Sequence, residues 1–200
     1  WNTGFSWQTF LVFSGLTLLI SAAFISNQIA DENKSQDNQK LLLIGKHISS
    51  EKGKSIVKIL LIIGGLISII SNWVTAIPAM CVYFLWGIQY NHPPFEWKNT
   101  STAGWLANSC VGVLLFIIGW MLGMKNYPNN AIISLSFDTF SHMLPYLLCF
   151  SAVSLLITLP GMKSDDSDMR TFPILFGYST SIVISLLMVS IALYVSLKHA

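Results

Sequence analysis

Asp138 and His142 are the two side chains whose types and spacing come closest to a reactive pair. They stand four residues apart in the stretch "SFDTFSHMLP", beside a long apolar run. Residues four apart share one face of an α-helix, and ionisable side chains inside a membrane usually serve a function. We therefore treat the pair as the candidate for cofactor binding. The competing interpretation makes Asp138 the N-cap of a helix.

Pro145 bears on the choice between these interpretations. A span that began at Pro145 and ended at residue 159 would be only about 22 Å long. A helix over residues 139–159 with Asp138 as its cap would be about 32 Å long, close to the thickness of the hydrocarbon core. A helix that began after Asn130 would instead bury Asp138 about 12 Å along its length. We favour the cap, because a carboxylate at a helix N-terminus is stabilised by the helix dipole.

Other chemistry has little support in the sequence. Asp138 and His142 lack a third partner for a metal site, and the acidic stretch 165–168 is typical of a solvated loop. A haem held by two histidines needs them at matching depth on two helices, and the spacing offers no such pair. A pigment held by one ligand stays open. We therefore predict no catalytic residue, no metal site and no cofactor.

The composition identifies the elements that must position these residues. Apolar residues make up 53% of the 200 positions and charged residues only 10%, whereas soluble domains carry about 25% charged residues. Such a chain is predicted to be an all-α integral membrane protein with one polytopic domain over residues 1–200, since helices satisfy their own backbone in lipid. Five runs are long enough to span, at residues 7–29, 55–77, 102–124, 139–159 and 172–197.

The segment 79–97 does not fit this pattern of spans. Pro78 interrupts the second run, and the apolar stretch that follows is too short to cross a bilayer. We predict an interfacial or re-entrant segment, with six spans as the alternative if residues 55–90 form a hairpin. Aromatic side chains are enriched at contact surfaces. The residues predicted to contact a partner or lipid are Tyr83, Phe84, Trp86, Tyr90, Trp97 and Trp105.

The distribution of basic residues predicts an orientation. With five spans, eight of the 11 Lys and Arg residues fall on the side of the 30–54 loop, and Lys98 falls on the other side. The positive-inside rule then places the N-terminus outside, and the 30–54 loop and the C-terminus in the cytoplasm. The net charge of +2 and the scattered lysines argue against nucleic acid as a partner.

Small residues predict close helix packing. Gly119 and Gly123 form a GxxxG pair in the third span, and Gly64 and Gly65 are adjacent in the second. Such residues let helix backbones approach each other, within the chain or between subunits.

These observations favour a role without catalysis. We expect a non-catalytic subunit or assembly partner of a larger membrane complex, which contacts lipids and other membrane subunits in a homo- or hetero-oligomer. An oligomeric transporter or channel for a small or neutral solute is the first alternative. A membrane cofactor or pigment binder is the second.

Overall fold

The computed structural model describes residues 6–32, 43–123, 137–159 and 171–199. The helices are α1 (Trp7–Glu32), α2 (Ser50–Ser71), α3 (Trp73–Tyr83), α4 (Ser101–Gly123), α5 (Phe137–Ile157), α6 (Phe172–Phe176) and α7 (Tyr178–His199). A π-helical segment, Phe84–Gln89, extends α3, and a 3₁₀ turn, Trp97–Asn99, precedes α4. Five of these helices are long and apolar enough to cross a membrane. The predicted all-α membrane fold is confirmed.

A break at Asn72 separates α2 from α3, so that the second span ends at Ser71 rather than at residue 77. Asn72 has extended backbone angles, and its side-chain Oδ1 accepts hydrogen bonds from the amides of Val74 (2.7 Å) and Thr75 (3.4 Å). This is the geometry of an N-cap. Pro78, which we had expected to end the helix, instead lies inside α3.

The helix formed by α3 and the π-helical segment runs beside α1 and in the same direction. Ala79 packs in the core with Leu16 and Leu19, and further along the Ser26 hydroxyl donates to the carbonyl of Gly87 at 3.0 Å. Residues 50–89 therefore form a helical hairpin, the arrangement that the six-span alternative assumed, although residues 73–89 are shorter than the five helices long enough to cross a membrane. This shorter apolar helix of residues 73–89 returns the chain to the end of the bundle that it left at Ser50.

The hairpin changes which loops lie at the same end of the helical bundle. Lys98 makes an ion pair with Asp31 at the C-terminal end of α1, so Lys98 lies on the side of the 30–54 loop and its placement on the opposite side was wrong. We call this the Lys98 end. The Trp120 end is the opposite one, where α1 and α3 begin and α4 finishes.

α1 and α2 pack closely because glycines face each other across their interface. A Cβ built on Gly15 would lie 3.1 Å from the carbonyl oxygen of Gly64, and one on Gly64 would lie 3.1 Å from the carbonyl oxygen of Gly15. Any side chain at either position would force the helices apart. The contact also fixes the antiparallel register of the two helices.

α4, α5 and α7 form the second half of the bundle and alternate in direction. Near the Lys98 end, the Ser151 hydroxyl of α5 donates to Ser109 of α4 at 2.7 Å. Near the Trp120 end, the rings of Trp120 and His142 stack at 5.5 Å. Ser185 of α7 donates to the carbonyl of Ala152 at 3.3 Å. The hydroxyls thus hold the three apolar helices in register.

Candidate functional site

A cavity of about 610 Å³ lies between α1, the π-helical segment, α4 and α5, toward the Lys98 end. We call it the first cavity. Its apolar wall comes from α1 and α5 and comprises Ile20, Ala23, Phe24, Phe150, Val153 and Ile157. Its polar lining includes Asn27, Tyr90, Asn91 and Asn108. Its size and its division into polar and apolar parts are typical of a small-molecule site.

Asn27 and Asp31 lie on one face of α1 because they are four residues apart. Asn27 lines the first cavity, and Asp31 follows in the last turn of the helix. A carboxylate is disfavoured in that turn, since the helix dipole is negative there. The ammonium group of Lys98 compensates this charge, with the Lys98 side chain only 12% exposed and that of Asp31 44% exposed.

Hydrogen bonds hold the polar lining of the first cavity in place. The indole N–H of Trp86 donates to the side-chain oxygen of Asn108 at 2.8 Å, and the Asn91 amide donates to the carbonyl of Trp86 at 2.5 Å. Burial raises the pKa of Tyr90, and the charge of Asp31 raises it further. Tyr90 is therefore a neutral hydroxyl at physiological pH, able to donate to an anion.

His92 contacts α1 through Ser26, beside this lining. The Ser26 hydroxyl donates its one proton to the carbonyl of Gly87, so it accepts from the Nε2–H of His92 at 2.9 Å. Burial lowers the pKa of His92, and the positive charge of Lys98 lowers it further. The contact ties the loop after the π-helical segment to α1.

Asp31 and Glu32, in the last turn of α1, are the carboxylates that follow the cavity residue Asn27 on the same helix. One carboxylate oxygen of Glu32 is buried without a hydrogen-bond partner in the part of the chain that the structure describes. Such an oxygen is costly unless a donor or cation satisfies it. Within the same residues, no three His, Cys, Asp or Glu side chains form a group that could hold a metal by themselves.

The structure places His142 away from this cavity. His142 stacks on Trp120 and lines a second cavity of about 800 Å³ between α4 and α5. The Asp138 side chain and the acidic stretch 165–168 lie outside the described residues, so the cap of α5 stays a prediction.

The aromatic residues predicted as a contact surface are spread through the bundle. Trp86 and Tyr90 line the first cavity, and Tyr83 packs against the core around α1. The indole N–H of Trp105 donates to the carbonyl of Ser151 at 3.1 Å. Trp97 makes an edge contact with Phe95 at 6.0 Å, and Phe84 is 48% exposed.

The glycines predicted to pack helices have different surroundings. Gly64 packs against α1, and a Cβ on Gly65 would come no closer than 3.7 Å to the sulfur of Met80. A Cβ on Gly119 would meet no atom of the described residues within 4 Å, because Gly119 lines the second cavity. Gly123 is the last residue of α4.

Comparison with known proteins decides the class. The model of the UbiA prenyltransferase family matches residues 1–199. The chain belongs to the UbiA prenyltransferase family. It is 28% identical over 195 residues to the 2-acyl-4-prenylphloroglucinol 6-prenyltransferase, chloroplastic, of Humulus lupulus, covering 90% of this chain and 46% of that protein. The chain thus spans about half the length of this relative. No solved structure matches the chain.

Membership of the UbiA family corrects the functional expectations. The predicted non-catalytic subunit and the alternative transporter or channel were wrong, and so was the expectation that the chain has no enzymatic role. The prediction of a multi-pass membrane protein is confirmed. The inference failed because it searched the spans for paired ionisable groups, whereas the lining residues of this cavity that the structure describes are uncharged and the Lys98–Asp31 pair lies beside it, at the end of the bundle.

Asn91 and Lys98 were not predicted as site residues from the sequence, and neither were Asn27 and Asp31 on α1. The first predicted span stopped at residue 29, which left Asp31 in a loop. The available signal was an amide and a carboxylate four apart where an uncharged span ends, on one helical face. Carboxylates in the last helical turn oppose the dipole, so their presence indicates a partner or a ligand.

Proposed function

We propose that the chain forms the donor-binding part of a membrane prenyltransferase, with a prenyl diphosphate as donor and an electron-rich aromatic compound as acceptor. The observation that carries the proposal is the first cavity, which combines an apolar wall with a polar lining, beside the mostly buried ammonium group of Lys98. Membership of the UbiA family supports the reaction class. The name of the relative from Humulus lupulus supports an aromatic acceptor.

The isoprenoid chain of the donor lies against the apolar wall that α1 and α5 provide. Phe24 and Val153 are both about half exposed in this structure, at 52% and 51%. Covering apolar surface stabilises a complex by about 25 cal/mol per Å² removed from water. The wall therefore contributes affinity for any isoprenoid, and selectivity for the diphosphate arises elsewhere.

The diphosphate lies at the polar lining, beside Lys98. An ammonium group that is mostly buried interacts more strongly with an anion than an exposed one does, because water screens it less. Tyr90 and Asn27 offer further polar groups on the same side of the first cavity. In this structure Lys98 forms an ion pair with Asp31. Donor binding therefore replaces the Asp31 carboxylate by the diphosphate as the anionic partner of Lys98.

Asp31 and Glu32 are the residues that would hold a divalent cation together with the diphosphate. Mg²⁺ is typically bound by one or two carboxylates plus substrate phosphates, and the unpartnered oxygen of Glu32 fits that role. When bound, the cation would neutralise charge on the leaving diphosphate. Lys98 acts in the same sense and needs no cation.

The reaction is a substitution at the first carbon of the prenyl chain. The carbon–oxygen bond to the diphosphate breaks, and its electron pair leaves with the diphosphate. A carbon–carbon bond forms to the acceptor ring, and the attacked ring carbon then loses its proton to water. Lys98 and Tyr90 lower the barrier by stabilising the negative charge that develops on the leaving group.

The Lys98 end faces the cytoplasm or its equivalent compartment in this proposal. Among the described residues, five lysines lie at that end and one, Lys198, at the other. The five are Lys46, Lys52, Lys54, Lys58 and Lys98. The positive-inside rule then places this end inside, where soluble diphosphates are available. With the hairpin counted, Trp7 and His199 lie together on the opposite side.

Transfer of a labelled prenyl group tests the proposal. Membranes that contain the full-length protein are incubated with radiolabelled farnesyl diphosphate, Mg²⁺ and a panel of phenols that includes an acylphloroglucinol. We expect label to appear in an acceptor adduct, and membranes without the protein to form none. Retention of all label as farnesyl diphosphate or farnesol across the panel would contradict the proposal.

A further inference from the structure

Two residues of α5 line both cavities. Phe150 and Val153 belong to the wall of the first cavity and also to the wall of the second cavity, which extends toward the Trp120 end. The two spaces therefore lie side by side along α5, with these two side chains between them. Phe150 is the larger of the two, so its ring is the main barrier at this boundary, which we call the junction.

One face of α5 runs along both spaces. His142, Tyr146 and Cys149 line the second cavity, Phe150 and Val153 line both, and Ile157 lines the first. Intervals of three and four residues keep them on one helical face. The 15 residues from His142 to Ile157 rise by about 22 Å, which is long enough for an extended chain several isoprene units in length.

Gly112 of α4 allows Phe150 to stand at the junction. A Cβ on Gly112 would lie 2.5 Å from Cγ of Phe150, so the ring rests directly on the α4 backbone. Removing the ring would open the junction between the two cavities and would leave the backbone of α4 at Gly112 unchanged. The junction is thus set by one side chain, whose size can be changed.

The second cavity has the chemistry of an apolar chain site. Among the residues that the structure describes, its lining includes Phe116, Trp120 and Tyr146 and contains no Asp, Glu, Lys or Arg. The imidazole of His142 stacks on Trp120 at the far end of this lining. A diphosphate or another ion would find no opposite charge among these residues, whereas an isoprenoid chain would bury apolar surface against aromatic rings.

We propose that the second cavity binds the distal isoprene units of a long donor, and that Phe150 determines which chain lengths can enter. The inference rests on the proposed function, because it takes the donor diphosphate to be held in the first cavity. Short donors fit within the first cavity. Longer ones must pass Phe150, and their additional affinity comes from the lining around Gly119.

Equilibrium binding of labelled prenyl diphosphates with two, three and four isoprene units tests this inference in the detergent-solubilised full-length protein. Gly119→Phe adds a ring in open space within the second cavity. We expect it to weaken binding of the longest donor about tenfold, a typical effect of blocking part of an apolar pocket, and to leave the shortest donor unchanged. Cys110→Phe, on an exposed position of α4 outside both lining sets, is the matched control.

Phe150→Leu changes the junction in the opposite direction and guards against misfolding of the first variant. We expect it to raise the affinity ratio of the longest to the shortest donor several-fold. Equal effects on all chain lengths in both variants, or none, would overturn the inference while the wild type still binds donors. Failure of the wild type to bind any of the three diphosphates would overturn the proposed function, and this inference with it.

Discussion

The ammonium group of Lys98 contacts the carboxylate of Asp31 across 67 positions of the chain. The pair joins the last turn of α1 to the loop that follows the π-helical segment, beside the polar lining of the first cavity. Lys98 is the more buried partner. The relationship combines two roles, because it neutralises a carboxylate at an unfavourable helix position and keeps a cation near the site where an anion would bind.

Removal of the two partners is expected to have unequal effects on stability. Asp31→Asn leaves the mostly buried ammonium of Lys98 without its counter-charge, whereas Lys98→Met leaves a carboxylate that is 44% exposed. We expect Asp31→Asn to cost roughly 1–3 kcal/mol of unfolding free energy, the range for a buried polar group that loses its partner, and Lys98→Met to cost less. Thermal unfolding in detergent without ligand measures both, and a larger loss for Lys98→Met would contradict the expectation.

The stability of the protein is expected to fall as the pH decreases below neutrality. The pKa of His92 is lowered in the folded chain, by burial first and by Lys98 second. Between the folded and unfolded pKa values the unfolded chain binds the additional proton, so stability is full above about pH 6.5 and decreases toward the folded pKa.

His92→Gln tests the assignment of this pH dependence to His92. The Gln amide can still donate to Ser26 but does not titrate in this range. The difference in melting temperature between pH 7.5 and pH 5.5 is expected to shrink in this variant. An unchanged difference would assign the pH dependence to other groups.

Asn72 is expected to maintain the hairpin. Its side chain caps α3 through Val74 and Thr75, and Asn72 is 9% exposed. Asn72→Ala removes the cap and should cost about 1 kcal/mol. Asn72→Ser retains a capping oxygen and should lose less. Chemical unfolding of the three proteins measures the order, and equal stability of the Ala and Ser variants would show that the cap contributes nothing.

Divalent cations are expected to be required for prenyl transfer. Chelation with EDTA should abolish transfer of the prenyl group, and added Mg²⁺ should restore it. The carboxylates of Asp31 and Glu32 and the diphosphate are all negatively charged, so a cation is needed to hold them together. Glu32→Gln should raise the Mg²⁺ concentration needed for half-maximal transfer. A variant with the same Mg²⁺ requirement as the wild type would remove Glu32 from the cation site.

Much of the fold could be predicted from the sequence. Apolar runs of spanning length are a strong signal, and three of the five predicted spans match long helices within three residues at both ends. The fifth predicted span begins six residues before its helix. The hairpin was harder to predict. Pro78 is a residue that usually breaks helices, whereas the break actually lies at Asn72, where a single buried amide side chain caps α3. The local cap at Asn72, and not Pro78, sets where the helix breaks, and this changed the side on which Lys98 lies.

The candidate site was not predicted, for a related physical reason. Its polar groups come from helix ends and one loop, namely Asn27, Asp31, Tyr90, Asn91 and Lys98, and folding of the hairpin brings them together. The sequence shows Asp138 and His142 as a neighbouring pair, but it does not show Asp31 and Lys98 as one. Separation along the chain hides such a pair until the return of α3 is known.

The most direct test of the account compares the binding of farnesyl diphosphate and farnesol to the full-length protein, with Lys98→Met as the variant and Lys52→Met as its control. Lys52 is exposed at the same end of the bundle and has no assigned role. If Lys98 recognises the diphosphate, its loss should weaken farnesyl diphosphate binding by tenfold or more, since a charge-assisted hydrogen bond contributes about 1.5–3 kcal/mol. Farnesol binding and the Lys52→Met variant should be unaffected. Equal affinity of the wild type and Lys98→Met for farnesyl diphosphate would contradict the account.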